Sequence, residues 1–220
     1  MRGKTMDDTI LDYLAGLTPN SPEWADQLEI VAEENNIPIM DRTSMHFVQV
    51  LLQIHQPKRI LEVGTAIGYS ALRMQDNTQA SIVTIEKDEK RYRDAVENIN
   101  NLNKDDCIKV IHGDALEEMS RLKENNERFD TIFIDAAKGQ YGKFLELADL
   151  MVGNGGLVIT DNVLFRGYVA APEETPKRFR SMVKKLREYN EKLMNHPHYQ
   201  TSILPIGDGV AISYKLEEGN

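Results

Sequence analysis

From Arg59 onward the chain repeats one unit: a short β-branched apolar run, a stretch with helical spacing, then another apolar run. Strand-like runs recur at 59–63, 81–86, 107–111, 129–135 and 156–161, with helical patterns near 70–76, 88–102, 115–124 and 140–151 between them. Runs this uniformly apolar read as strands buried on both faces, the condition of a parallel sheet covered by helices. Right-handed crossovers follow from the twist of the strands. A charged helix is expected after Pro172, to about Asn195. The chain then closes with Tyr199–Leu204, the turn Pro205-Ile206-Gly207-Asp208-Gly209, and Val210–Tyr214. Gly-Asp-Gly between two short runs reads as a hairpin. The expected architecture is α/β: a doubly wound, mostly parallel, seven-stranded sheet with a C-terminal antiparallel hairpin.

The first third reads helical. Asp7 to Ala15 is a short amphipathic segment, and Ser21-Pro22-Glu23 offers an N-cap, an N1 proline and an early acid for a longer helix. That helix should stop near Asn35-Asn36. A third runs from about Thr43 to His55, with Phe47, Val50, Leu51 and Ile54 on one face. At 220 residues the chain is most economically one domain. No apolar stretch approaches the roughly 20 residues needed to span a membrane. The N-terminus lacks the apolar core of a signal peptide. The one cysteine, Cys107, excludes an internal disulfide, fits a reducing cytosol and is expected to be a buried structural thiol. A net charge of −9 argues against nonspecific nucleic-acid binding by the whole surface. Residues 163–198 run the other way, with eight basic residues against four acidic ones.

The chemistry sits where the strands end. One run finishes at Asp135 and the next at Asp161-Asn162. In an open α/β sheet, ligands bind at the carboxyl edge, and neighbouring strands lie about 4.8 Å apart. If these two are neighbours, Asp135, Asp161 and Asn162 converge as three hard oxygen donors, suited to Mg²⁺, Mn²⁺ or Ca²⁺ rather than zinc. Upstream, Gly64 and Gly68 mark a turn where a backbone can approach a ligand closely. Their Gly-x-x-x-Gly spacing does not meet the Gly-x-Gly-x-x-Gly pyrophosphate fingerprint, which disfavours a nicotinamide oxidoreductase. Glu86 ends the next strand, 22 residues after Gly64, where an acid accepts from ribose hydroxyls. Asp114, in His112-Gly113-Asp114-Ala115, could accept from an adenine amino group, and Glu62 would face a positive ligand group. An acidic nucleoside pocket with no phosphate grip points to S-adenosylmethionine.

Glu62-Val63-Gly64-Thr65-Ala66-Ile67-Gly68-Tyr69-Ser70, Glu86, Gly113-Asp114-Ala115, Asp135-Ala136-Ala137-Lys138 and Asp161-Asn162 resemble the cation-dependent O-methyltransferases, the family of the catechol and caffeoyl-coenzyme A enzymes. The likeness runs from about residue 37 to the end. It implies a Rossmann-like fold with extra N-terminal helices, divided into a lid region (1–56), a cofactor and metal core (57–162) and a substrate-side helix with closing hairpin (163–220). It also implies roles. Met40 would lie in the lid over the cofactor and Ser70 would hold its carboxylate end. Glu86 would bind the ribose, and Asp114 with the Ala115 amide the adenine, beside Gly113. Asp135, Asp161 and Asn162 would bind Mg²⁺ or Mn²⁺, with Asp135 also near the cofactor amine. Lys138, three residues after Asp135, stands where the catechol enzyme keeps its catalytic lysine; it could take the acceptor proton if burial and the cation lower its pKa.

The closing segments, Asn162-Val163-Leu164-Phe165-Arg166-Gly167 and Pro205 to Ser213, are similar to a bacterial branch that includes the tRNA 5-hydroxyuridine methyltransferase. That likeness implies a tRNA anticodon loop as partner, with Arg166, Lys184 and Lys185 as candidate RNA contacts, and a cytoplasmic homodimer. The alternatives are a small catechol-type acceptor or a non-catalytic cofactor-binding protein.

Overall fold

The computed structural model describes residues 6–217. Its centre is a seven-stranded sheet: β1 Arg59–Val63, β2 Ser81–Glu86, β3 Ile108–His112, β4 Phe129–Ile134, β5 Val152–Thr160, β6 Tyr199–Leu204 and β7 Val210–Lys215. The strand order is β3-β2-β1-β4-β5-β7-β6. The first five are parallel, and β7 enters antiparallel between β5 and β6. The order reverses at β1, so β1 and β4 form the switch point at which such sheets bind ligands.

Five helices alternate with the strands: α4 Tyr69–Thr78, α5 Glu89–Asn101, α6 Ala115–Glu124, α7 Tyr141–Met151 and α8 Arg180–Met194. Asp88 and Asp114 cap α5 and α6 by accepting from Arg91 N and Leu116 N, as expected of acids at helix starts. Two apolar layers result. Leu61, Val63, Ile132, Ile134 and Val158 face α7 and α8; Ile60, Ile82, Phe133, Leu157 and Ile159 face α4 and the N-terminal helices. Neighbouring strand residues alternate between the layers because side chains alternate across a sheet.

The N-terminal helices are α1 Met6–Leu17, α2 Glu23–Glu34 and α3 Arg42–His55. The cap of α2 is Pro22, in extended geometry and without a side-chain bond; Ser21 instead accepts from Arg73 Nη1 at 2.7 Å. The buried stripe of α3 is Ser44, Met45, Val48 and Leu52. Phe47 and Leu51 are half-buried, while Val50 and Ile54 are exposed. The apolar residues of α3 lie on more than one face, and its packing on α4 selected the other stripe.

Strand β5 begins four residues earlier than expected. Gly153-Asn154-Gly155 reads as a turn but is absorbed by a register shift opposite Phe129–Thr131, with Gly155 at φ +76°, as at a bulge. Cys107 is half-buried in the turn before β3 rather than enclosed.

Candidate active site

The five parallel strands end at one edge, and the ladder continues past them. Gly113 N donates to Glu86 O (2.9 Å), Gly64 N to Ile85 O (3.0 Å), Asp135 N to Val63 O (2.9 Å) and Asp161 N to Ile134 O (3.0 Å). Gly113, Glu86, Gly64, Asp135 and Asp161 therefore stand in that order along the edge. A cavity of about 540 Å³ opens there. One end is walled by Gly113, Asp114, Ala115 and Glu86, and Gly64, Ser70 and Met40 also line the cavity. Asp135, Lys138, Asp161, Asn162 and Arg166 wall the far end.

Glu86 is buried to 8% exposure. Its oxygens accept from Ala66 N (2.9 Å) and Asp88 N (2.8 Å), which clamps the carboxylate between the glycine turn and the start of α5. Two acceptors are filled; a carboxylate has about four. Asp114 accepts from Lys87 Nζ at 3.0 Å, and that ammonium, with the Leu116 amide, holds its carboxyl below the usual range.

Glu62 does not line the cavity. It is fully buried and accepts from Ser70 Oγ and Thr84 Oγ1, both at 2.5 Å. Burial pushes its carboxyl up to about 7 against the pull of the two hydroxyls. The expectation that it faces a ligand is thereby corrected: it stands behind Ser70 and reaches the cavity through that hydroxyl. Gly64 lines the cavity, whereas Gly68 does not. Gly64 has φ +102°, and a Cβ there would lie 2.0 Å from Asp135 O, so the close approach is to the end of β4. Gly68, at φ +87° before α4, packs beside Ala95.

At the far end, burial pushes the Asp135 carboxyl up while the Lys138 charge pulls it down. Asp161 is pushed up by burial and by the charge of Asp135. Asp161 Oδ1 accepts from Asn162 N (2.7 Å), and Tyr141 OH donates to Asp161 O (3.0 Å). Among the described residues no group of three or more His, Cys, Asp or Glu forms a metal cage. The set here is two carboxylates and one amide. Two neighbouring carboxylates, Asp161 buried and Asp135 half-buried, are mutually unfavourable unless a cation or proton joins them, and all three side chains offer hard oxygens. These residues fit Mg²⁺ or Mn²⁺.

Arg166 is exposed beside the Phe165 ring. Lys184 and Lys185 are exposed on α8 and do not line the cavity. Lys185 nonetheless lies next to Gly139, in the short 3₁₀ turn Lys138–Gln140, so it borders the rim. Tyr69, Gln140, Phe165 and Asp208 also line the cavity, and sequence reasoning had given them no site role. Asp208 sits in a hairpin link, where a turn fully explains an Asp between glycines.

A family model described as O-methyltransferase matches residues 18–216. The chain belongs to the O-methyltransferase family. Among its relatives, a caffeoyl-CoA O-methyltransferase of Populus kitakamiensis is 31% identical over 178 residues, 77% of this chain and 75% of that protein. One of Eucalyptus gunnii is 29% identical over 224 residues, 96% of this chain and 88% of that protein. Among solved structures, an O-methyltransferase from Bacillus cereus in complex with SAH superposes with TM-score 0.82 at 27% identity, covering 94% of this chain and 97% of that one. The O-methyltransferase fold thus spans the sheet, its C-terminal hairpin and the flanking helices.

Proposed function

We propose that this O-methyltransferase uses S-adenosylmethionine and Mg²⁺ or Mn²⁺ to methylate an acceptor with two vicinal oxygens. The observation that carries this reading is one cavity with two ends: Glu86 and Asp114 at one, and Asp135, Lys138, Asp161 and Asn162 at the other. The bound SAH of the Bacillus cereus relative supports the cofactor assignment.

Glu86 binds the ribose hydroxyls, and Asp114 with the Ala115 amide and Gly113 binds the adenine. Ser70, backed by Glu62, holds the methionine carboxylate end beside Gly64, and Met40 covers the cofactor. Asp135, Asp161 and Asn162 hold the cation, with Asp135 also facing the cofactor amine. When bound, the cofactor supplies an electrophilic methyl group and the cation the charge that favours an ionised acceptor oxygen. Lys138 would take the acceptor's proton at Nζ as the neutral amine, the form that carries a free lone pair. The cavity walls would position the acceptor oxygen against the methyl group, and positioning contributes much to such a transfer.

The acceptor we propose is 5-hydroxyuridine at the wobble position of tRNA, a base that a single-stranded loop can splay into a pocket. The net positive segment 163–198, which reaches the cavity at Phe165 and Arg166, supports it. A small catechol-type acceptor is the second reading, favoured by the caffeoyl-CoA enzymes among the relatives. We further propose one cytoplasmic domain acting as a homodimer, for which exposed Tyr13, Leu17, Val50 and Ile54 offer an apolar surface; a monomer in sedimentation velocity would refute the dimer.

The deciding experiment gives purified protein and S-adenosylmethionine either 5-hydroxyuridine tRNA or caffeoyl-CoA, with and without chelator. We expect 5-methoxyuridine by nucleoside mass spectrometry, loss of turnover with chelator, recovery with Mg²⁺ or Mn²⁺, and a lower kcat for Lys138→Met. Methylation of caffeoyl-CoA alone would transfer the reading to small phenols. Full turnover in metal-free buffer would sink the cation assignment.

A further inference from the structure

The wall of the cavity after Asp161 is made of backbone in an uncommon conformation. Asn162, Phe165 and Arg166 have φ of +56°, +37° and +55°, values that L side chains rarely adopt. Such a segment persists only where its surroundings over-determine it. Here the surroundings are the link between β6 and β7. Val163 N donates to Gly209 O (3.0 Å), and Leu164 N and Phe165 N both donate to Asp208 O (2.9 and 3.2 Å). Arg166 N donates to the Asp208 carboxylate, at 3.0 Å from Oδ1. One residue thus receives three consecutive amides. It also lines the cavity beside Asn162 and Phe165. On its other side the link meets the lid: a Cβ on Gly207 would lie 2.2 Å from Asp41 Oδ2, in the residue after Met40.

We propose that Asp208 is a positioning residue for the methyl acceptor. By receiving the amides of residues 164–166 it holds Asn162 and Phe165 at the cavity and fixes the acceptor wall against the lid. This rests on the reading that the Asp161–Asn162 end receives the acceptor. Positioning requires an oxygen at Oδ1, not a charge. A direct role toward a cation or an acceptor proton would require the carboxylate itself. Asp208→Asn keeps the oxygen and removes the charge, whereas Asp208→Ala removes both, so the pair separates the two roles.

The experiment compares wild type, Asp208→Asn and Asp208→Ala in three readouts. These are amide hydrogen exchange of peptides covering 162–168, SAH affinity by calorimetry, and kcat and KM on whichever of 5-hydroxyuridine tRNA or caffeoyl-CoA the wild type methylates. We expect Asp208→Ala, which keeps the main-chain carbonyl that receives Leu164 N and Phe165 N, to lose protection at Arg166, whose amide the side chain receives, and at least ten-fold in kcat/KM, with SAH affinity within two-fold of wild type. Asp208→Asn should recover most of both losses. Wild-type exchange and turnover in Asp208→Ala would overturn the proposal. So would an Asp208→Asn protein with wild-type protection but the turnover defect of Asp208→Ala. If Asp208→Ala does not fold, Asp208→Asn against wild type still decides between oxygen and charge. If the wild type methylates neither acceptor, the proposed function fails, and normal protection in Asp208→Ala would separately sink the clamp.

Discussion

Glu86 sits in a nearly closed position, with two backbone amides, Ala66 N and Asp88 N, already on its oxygens. The same two bonds tie the glycine turn to the start of α5, and Glu86 lines the cavity. A ligand hydroxyl donating there makes a charge-assisted bond, and losing such a bond costs about 1.5–3 kcal/mol. Glu86→Ala should therefore weaken SAH binding very roughly 10- to 150-fold. Calorimetry measures it, with a melting curve alongside because the variant also frees two amides. Unchanged affinity would leave Glu86 a structural clamp and nothing more. Asp114 differs in kind: Lys87 and the α6 amides already engage it, so its carboxylate is shared between capping and any adenine contact.

Helix α8 has its work divided between faces. Val183, Leu186, Tyr189, Asn190 and Leu193 are buried. Arg180 Nε is committed to Thr175 O (3.2 Å) and Arg187 Nη1 to Val169 O (2.7 Å), so these arginines tie the loop 163–179 to the helix. Lys184 and Lys185 are left pointing outward, Lys184 beside Glu188 at 3.8 Å. An exposed pair of that kind contributes little to stability. Lys192 is paired with Glu146 at 2.7 Å, so under the proposed tRNA reading docking on this helix would fall to Lys184 and Lys185. Lys184→Glu/Lys185→Glu should weaken tRNA binding most at low salt and flatten its salt dependence by about 0.7–0.9 per lost phosphate contact. SAH affinity should not move. Filter binding across a salt series checks this, and wild-type binding by the double variant would place docking elsewhere.

The molecule as a whole buries acids at its ligand edge, and this sets how its stability responds to pH. Glu62 titrates near 7 in the folded chain, above the ordinary carboxylate value of 4.5. A raised folded pKa means stability that is fully present below the unfolded value and is lost as pH rises through the folded one. Asp135 and Asp161 are displaced in the same direction. The metal-free protein should accordingly melt at lower temperature as pH is raised from about 5 to above 7. Mg²⁺ or Mn²⁺ should restore much of the loss at the alkaline end by pairing with the two aspartates. Scanning fluorimetry across pH, with and without cation, tests both halves. A melting temperature that rises over this window would contradict the placement of these acids.

The parallel core was legible because its signal is local. Five apolar runs at regular spacing admit few sheets, and acids at their ends fall at one edge whatever the packing details. The hairpin was equally legible from Gly-Asp-Gly. What sequence alone could not settle depended on which of two available surfaces a neighbour covers. In α3 the apolar residues are spread round the helix rather than confined to one face, and contact with α4 made Met45, Val48 and Leu52 the inner stripe. Glu62 read as a ligand-facing acid because the strand pattern places it at the edge but does not say which side chain stands in front. Ser70, brought over by α4, does so. Asp208 shows the limit most plainly: in the sequence it is a turn residue, 47 positions after Asp161. Only the antiparallel insertion of β7 beside β5 sets its acceptors against the amides of Leu164, Phe165 and Arg166. Local pattern thus determined the sheet, its edge and the acids along it, since strand period and turn chemistry are encoded within a few residues. Long-range packing alone decided which of those acids face the cavity and what holds its wall, since those contacts join segments that no local pattern relates.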